Sequence, residues 1–349
     1  MTPESHRAFR RKLLAWFDRA KRELPWRTSR DPYRIWVSEV MLQQTTVAAV
    51  IPFYERFLVS FPNVHALAAA DEQAVLNHWQ GLGYYRRARH LHAAAKRLVQ
   101  KHAGELPDDP AVWAALPGVG RYILGAVLSQ AFDRRLPIVE ANTLRVLSRL
   151  FGSRLDPREG AGKVWVWEAA ETVLPRKRVG DFNQAMMELG ALVCTPVAPD
   201  CEGCPVRREC LANQLGLQAE IPPPTKKKVL TTIQETALLI QRESRVLLCQ
   251  RPPTAGRGAM LWEFPATAES VGMTVELGPE LLTVRHGVTR FRIVLEAREA
   301  VWLRGEFASD FYTVGVWLTA EELASYPMST PQGKLRAGWS KTSRQGRLW

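Results

Sequence analysis

Four of the five cysteines fall in one short stretch, Cys194, Cys201, Cys204 and Cys210, with the spacing C-x6-C-x2-C-x5-C. No other feature constrains the fold as tightly, because the backbone there has to wrap a common centre. In a cytosolic chain such a set reads as metal ligands rather than a disulfide framework. Zinc sites usually present two tight pairs, whereas only the central spacing is tight here. A [4Fe–4S] cluster takes four thiolates from one wrapped loop. The spacing favours iron–sulfur, with zinc as the generic alternative. Cys249, alone in an apolar strand pattern, reads as a small core residue.

The helices ahead of that loop carry the remaining chemistry. A Pro-Gly-Val-Gly turn, Leu116 to Gly120, opens directly into an apolar, alanine-rich helical run. The turn built on Gly118 and Gly120 leaves backbone N–H groups unpaired, and the helix dipole makes that end attractive to a phosphate. An ordinary helix-turn-helix with a glycine turn has the same pattern. Glu140 follows the apolar run Leu136 to Val139, just before Asn142 and Arg145, so phosphate grip and carboxylate lie close in sequence. Asp31-Pro32 reads as a helix start, a capping carboxylate followed by proline at the first position. Glu39 sits within that apolar helix. Burial can raise a carboxyl pKa by roughly 3–5 units in the extreme case, and an acid held protonated near neutrality is what general acid catalysis requires. A surface glutamate, or one paired with arginine, is the plain alternative. GLGYYRRARHLH (Gly81 to His92) puts two tyrosines and several basic residues at a glycine turn. That suits insertion between bases beside phosphates, or a capped helix with a solvated basic face.

At 349 residues the chain has room for two or three domains, and 46% hydrophobic residues argue for packed cores rather than disorder. A formal charge of +12 and a pI near 9.8 predict attraction to polyanions without bearing on the fold. No apolar run approaches the roughly 20 residues of a spanning helix. The basic, amphipathic N-terminus lacks a signal core, and its Leu13, Leu14, Trp16, Phe17 and Leu24 read as the buried stripe of a first helix. A cytosolic protein with no membrane partner is expected. Helical patterns run over Val64 to Trp79, Ala88 to His102 and Ala141 to Leu192. IPPPTKKK (Ile221 to Lys228) is a stiff, solvated linker. Beyond it the period changes: ETALLIQRESRVLLCQR reads as strand, turn, strand, with RFRIVLEAREAVWLR and FYTVGVWL as further strands and AEELASYP as a short helix. The last dozen residues are expected to fray.

In order, SEVMLQQT (Ser38 to Thr45), GLGYYRRA, LPGVGR, FNQAMMELGA and the cysteine spacing resemble the MutY family of adenine DNA glycosylases, within the helix-hairpin-helix superfamily that includes endonuclease III. The resemblance covers residues 10–215 and extends more weakly through LWEFP (Leu261 to Pro265) and RHGVTRFRI. It implies a mostly α helix-hairpin-helix glycosylase core with a [4Fe–4S] cluster loop, followed by a smaller α+β Nudix-like domain. The implied boundaries are a catalytic region over 1–220, a linker over 221–229 and a recognition domain over 230–349. Within the catalytic region, 31–130 form a six-helix-type module with the hairpin, and 1–30 plus 131–220 an iron–sulfur module. The acidic signature of a Nudix hydrolase is absent, which favours recognition over pyrophosphatase chemistry.

The same resemblance implies a monomeric, cytoplasmic, nucleoid-associated enzyme that removes adenine mispaired with 8-oxoguanine or guanine from double-stranded DNA. The nucleotide has to be flipped out to be reached. Gln44 and Tyr84 match wedge residues, Glu39 the acid that protonates N7, and Glu140 the anion that steadies an oxocarbenium-like sugar. Tyr122 and Asn142 match residues that position sugar and water, Gln184 one that contacts the adenine edge, and Arg27 and Arg145 residues that hold phosphate or orient Glu39. Tyr122 stands where bifunctional relatives carry a Schiff-base lysine, so a monofunctional enzyme is expected. Two short segments depart from the family. Glu140-Ala141 replaces Asp-Gly, reaching about 1.5 Å farther, and Val288-Thr289-Arg290 replaces Phe-Ser-His in the loop that reads 8-oxoguanine, where Thr289 keeps a hydroxyl and Arg290 a donor. The rival readings are a mismatch thymine glycosylase of the same superfamily and a non-catalytic iron–sulfur DNA-binding protein.

Overall fold

Short polar residues followed by proline start the first helices. Thr2 caps α1 (Pro3–Ala20), and Asp31 caps α2 (Pro32–Leu42) by accepting from the Tyr33 amide at 2.8 Å. Proline loses nothing at that position, since its missing N–H would have had no helical partner. Next come α3 (Val47–Ser60), α4 (Val64–Ala69), α5 (Glu72–His78) and α6 (Arg86–His102). The single run expected over Val64 to Trp79 is two helices, because Asp71 turns its carboxylate onto the Gln73 amide at 2.9 Å and starts a new one. α7 (Pro110–Ala114) precedes the glycine turn, and α8 (Arg121–Phe132) follows it. The stretch from Ala141 to Leu192 breaks into α9 (Ala141–Leu150), α10 (Gly160–Val173) and α11 (Val179–Leu192); α12 (Leu211–Leu215) closes the cysteine loop.

The computed structural model describes residues 2–225, 229–288 and 290–344. They group into two compact units, Met1–Ala68 with Ala93–Lys226 and Ala69–His92 with Lys227–Trp349. In the first, Phe9, Leu13 and Phe17 of α1 pack on Leu147, Phe182 and Leu189 of α9 and α11. Each side chain buried there is worth about 1.5–3 kcal/mol. Leu24 is buried but lies beyond α1, just before a single 3-10 turn at Pro25–Arg27, so it does not belong to the helix stripe. α2 runs along α8, and Trp36 meets Trp113 edge-on with ring centroids 5.5 Å apart. Ile221, the first residue of the proline-rich stretch, is buried and its carbonyl accepts from Arg149 at 2.8 Å.

In the second unit the alternating pattern produces β1 (Thr231–Arg242), β2 (Arg245–Gln250), β3 (Trp262–Glu263), β4 (Thr274–Val288), β5 (Phe291–Arg304) and β6 (Val314–Leu318). They form one mixed sheet in the order β3-β2-β1-β5-β4, with β6 also on β2 and β1 parallel to β5. Ala237 and Leu239 pack with Leu335 and Trp339 on one face; Leu238 and Ile240 pack with Val271 and Tyr312 on the other. Both faces are covered, which explains the unbroken apolar run in β1. β4 has no clear sequence signature because Gly278-Pro279 interrupts it, and its pairing with β5 shifts register between Leu277 and Glu280. AEELASYP makes only a 3-10 turn, Glu322–Ser325. α13 (Thr330–Arg344) runs into the tail expected to fray; residues 345–349, like Lys226–Lys228 of the linker, lie outside the described residues. Residues of α5 and the turn after it also pack in this unit: the Trp262 indole donates to Gln73 Oε1 at 2.8 Å, and the Tyr85 hydroxyl to the Met328 carbonyl at 2.8 Å. Among the described residues no helix is long and apolar enough to cross a membrane.

α11 seats on the first turn of α9 only because residue 190 is glycine. A Cβ there would lie 2.6 Å from Asn142 Cβ, closer than carbon atoms tolerate. Gly190→Ala is expected to cost about 1–3 kcal/mol by overpacking, seen as a lower urea midpoint at unchanged m-value. An unchanged midpoint would show that the α9 start yields freely.

Candidate active site

α2 is buried on nearly every side, and this carries a carboxylate into the interior. Glu39 is 2% exposed. Its Oε2 accepts a very short hydrogen bond from the Tyr122 hydroxyl, and its Oε1 accepts from Gln130 Nε2 at 2.8 Å. Both partners come from α8, about two turns apart, so α8 presents one donor to each oxygen. Burial raises the Glu39 pKa; Tyr122, Gln130 and the charge of Arg27 pull it back without cancelling that rise. Tyr122 is pushed well above the usual phenol value, first by burial and then by Glu39 and Glu140. The phenol therefore stays protonated. Its oxygen also lies 3.7 Å from the Met187 sulfur.

Glu140 is the N-cap of α9. Its Oε2 accepts from the Asn142 amide at 2.9 Å and its Oε1 from the Thr143 amide at 2.8 Å, while the Thr143 hydroxyl accepts from the Glu140 amide. Burial raises this carboxyl, the two amides and Arg145 lower it, and Glu39 raises it again, leaving it above the ordinary range. Glu39 and Glu140 thus sense each other's charge. Arg145 is expected to hold phosphate or orient Glu39. It is buried, and its guanidinium donates to Asn142 Oδ1 at 2.9 Å and to the carbonyls of Gly190 (2.7 Å), Cys194 (2.7 Å) and Ala141 (3.1 Å). Those bonds turn its charge inward and brace the α9 start against the chain leading into the cysteine loop.

Arg27 donates through Nε to Gln184 Oε1 at 2.9 Å and through Nη2 to Glu188 Oε2 at 2.9 Å. Glu188, 1% exposed, also accepts from Arg22 Nε and Nη2 at 2.8 Å each. Burial pushes its pKa up, but hydrogen bonds from Arg22 and Arg27 outweigh it and hold the carboxyl at about 2. A cavity of about 390 Å³ opens beside this network, lined by Trp26, Arg27, Ile35, Gln130 and Gln184; its size lies within the roughly 300–1,000 Å³ of small-molecule pockets. Neither Gln130 nor Glu188 stands out in the sequence reading. The available signal was the one that marked Glu39: a polar residue inside an otherwise apolar helix.

The other expected site residues lie at turns. Gln44 is exposed with φ 59°, Tyr84 is 46% exposed with φ 49°, and Gly118 has φ 75°. A left-handed conformation costs a non-glycine residue about 1–3 kcal/mol and clusters at functional positions. The Arg87 guanidinium lies 5.4 Å from the Tyr84 ring centroid. Gly120 starts α8 with no side-chain cap, so the first α8 amides are free for an anion. Arg290 is exposed beside the Phe291 ring; Thr289 lies outside the described residues.

The four cysteines following α11 are half-buried. Burial, reinforced by Cys194, Cys210 and Cys201, pushes Cys204 up to about 12. Arg149 donates to Cys194 Sγ at 3.3 Å. Among the described residues no three His, Cys, Asp or Glu side chains form a group that could hold one metal ion.

Comparison with known proteins bears on the whole arrangement. A model of the HhH-GPD superfamily of base excision DNA repair proteins matches residues 37–167, and a NUDIX domain model matches 236–337. The adenine DNA glycosylase of Schizosaccharomyces pombe is 33% identical over 331 residues, covering 78% of this chain and 70% of the relative. That of Buchnera aphidicola subsp. Acyrthosiphon pisum is 34% identical, covering 69% of each. The chain belongs to the adenine DNA glycosylase family. The rat adenine DNA glycosylase is 45% identical over 59% of this chain, and the match spans only 42% of the rat protein. Among solved structures, a thermostable thymine-DNA glycosylase is similar at TM-score 0.55 and 29% identity, covering 61% of this chain and 98% of that one. Endonuclease III in a non-covalent DNA complex, at TM-score 0.53 and 24% identity over 62% of this chain and 99% of that one, shares the fold.

Glu188→Ala strands two arginines, Arg22 and Arg27, and is expected to destabilise the protein by about 3–5 kcal/mol. The depressed pKa fixes the pH dependence: the stabilisation is complete above the ordinary 4.5 and is lost as pH falls through about 2. Thermal midpoints of the two proteins should therefore converge between pH 4.5 and 2. A constant gap would mean that the ion pairs are not the cause.

Proposed function

We propose that the chain is a monofunctional adenine DNA glycosylase, acting as a cytoplasmic, nucleoid-associated monomer on double-stranded DNA that holds adenine opposite 8-oxoguanine or guanine. The observation that carries this reading is the pair of buried carboxyls, Glu39 on two α8 donors and Glu140 on two α9 amides, with a cavity lined by Gln130, Gln184 and Arg27. In this reading an extruded adenine meets Gln184 and Arg27. Glu39, whose pKa burial raises, gives its proton to N7 and makes the base a better leaving group. The sugar cation left behind is steadied by Glu140, and Tyr122 and Asn142 position the sugar and the incoming water. Tyr122 has no amine to form a Schiff base, so the product is an abasic site rather than a cut strand.

In this reading residues 1–220 carry catalysis and residues 230–349 recognise the opposing base, with Arg290 as one contact. Gln44 and Tyr84 hold the opened stack. Gly118 and Gly120 leave amides for a phosphate at the start of α8. Cys194, Cys201, Cys204 and Cys210 would hold the [4Fe–4S] cluster: an all-thiol set on one loop, with mutually interacting sulfurs and an arginine on Cys194, suits an anionic iron–sulfur centre. Those four thiolates would tie the loop into the fold through iron–sulfur bonds.

A duplex with adenine opposite 8-oxoguanine or guanine, assayed in single turnover with and without alkali, tests the proposal. Strand cleavage should appear only after alkali, and Glu39→Gln should lower the rate by roughly 10²–10⁴-fold. Release of thymine instead of adenine, or an unimpaired Glu39→Gln, would overturn it. Purified protein is separately expected to contain about four irons and four acid-labile sulfides per chain; stoichiometric zinc would refute the cluster.

A further inference from the structure

We infer that Gln130 is a positioning residue that commits Glu39 Oε1 to the role of acceptor, so that the proton delivered to the base is carried on Oε2, and that it thereby sets the upper pH limit of the reaction. The inference rests on the glycosylase reading for its kinetic consequence only.

Gln130 is 8% exposed on α8, lines the cavity, and its Nε2 lies 2.8 Å from Glu39 Oε1. The other oxygen faces the Tyr122 hydroxyl. The two donors differ in kind. A hydroxyl donates or accepts as it rotates, whereas an amide NH₂ only donates. When Glu39 is protonated, Tyr122 can turn and accept from Oε2–H, but a proton on Oε1 would confront the N–H of Gln130. The acid proton is therefore held on Oε2.

The same bond tunes the strength of the acid. Around Glu39 stand Tyr122 and Gln130 of α8, Arg27 of the turn before α2, and Glu140 at the start of α9; Met187 of α11, beside the Tyr122 oxygen, carries no charge. Burial disfavours the anion. Arg27, Tyr122 and Gln130 favour it. An acid weakened too far is a poor proton donor, since transfer is most efficient when its pKa lies near the working pH. Gln130 brings Glu39 back toward that range, and it does so at the oxygen opposite to the one facing the Tyr122 hydroxyl.

The test is the pH profile of single-turnover adenine release by wild type and Gln130→Met, a substitution of similar length that keeps α8 packed. The acid is active when protonated, so the rate is lost as pH rises through the Glu39 pKa. Removing a donor to the anion should move this falling limb upward by about one pH unit or more, whatever the plateau rate. A residue that merely fills space would change the plateau and leave the limb in place. Gln130→Leu serves as the second variant should the methionine protein fold poorly. The Glu39 carboxyl titration, followed by ¹³C NMR on glutamate-labelled protein and assigned with Glu39→Gln, gives the same reading without substrate. A limb and a carboxyl titration that stay put, or move down because the amide oxygen faces Glu39, overturn the inference. Wild-type protein that releases no adenine overturns the functional reading instead, and the NMR titration still decides the role of Gln130.

Discussion

The helical unit is arranged around a carboxyl placed where water cannot solvate it. Leaving Glu39 ionised and bare in the interior would cost several kcal/mol, and α2 supplies no relief, because its own neighbours on the buried side are apolar. The relief comes from α8, which presents Tyr122 and Gln130 to the two oxygens. This requirement fixes the register of α2 against α8: a slip of one residue along either helix would rotate the donors away by about 100°, given 3.6 residues per turn. Packing contacts such as Trp36 on Trp113 tolerate adjustment; the two directed hydrogen bonds do not. A site whose acid is held this way is organised before any substrate arrives, and preorganised polar groups do more at low dielectric than mobile ones in water.

A second chain of bonds runs from the carboxylate at the α9 start to the cysteine loop. Glu140 caps α9, Asn142 follows within its first turn, and Arg145 grips the Asn142 side chain and the Cys194 carbonyl together. One helical turn farther on, Arg149 reaches the Cys194 sulfur and the Thr195 carbonyl. Two buried arginines on one helix face thus set the path of the chain as it enters the loop. Their charges are satisfied mostly by backbone carbonyls, which ties them to the course of the main chain rather than to partner side chains. The close seating of Gly190 on Asn142 belongs to the same joint.

The sequence discloses what depends on local chemistry and hides what depends on tertiary approach. Asp31-Pro32, the burial of Glu39 and the strand-turn-strand of β1 and β2 rest on capping and periodicity, and all are present in the fold. β4 escaped because a Gly-Pro step breaks its alternation, and only pairing with β5 makes it a strand. The resemblance implies that Arg145 holds phosphate or orients Glu39; the carbonyls that accept its hydrogen bonds come from residues 45 to 49 positions away. Gln130 and Glu188 sit in runs that periodicity assigns to the core. Their partners lie 91 and 161 or more residues distant, and no local pattern could have named those partners.

The substitution of Glu-Ala for the family's Asp-Gly at 140 and 141 is where sequence and fold have to be weighed together. Aspartate is among the preferred N-caps because its short side chain reaches the free amides directly. A glutamate has one more methylene to place, and here it curls back so that each oxygen meets one amide, Asn142 and Thr143. The carboxylate is therefore located by the helix start rather than by the length of its own side chain, and the added reach of about 1.5 Å is taken up in the curl. Thr143 completes the fit by accepting from the Glu140 amide, a reciprocal bond that stiffens the turn. An anion fixed this way lies on the positive end of α9 and within the field of Glu39. Burial raises its pKa most and Glu39 raises it further, while the two α9 amides and Arg145 pull it back.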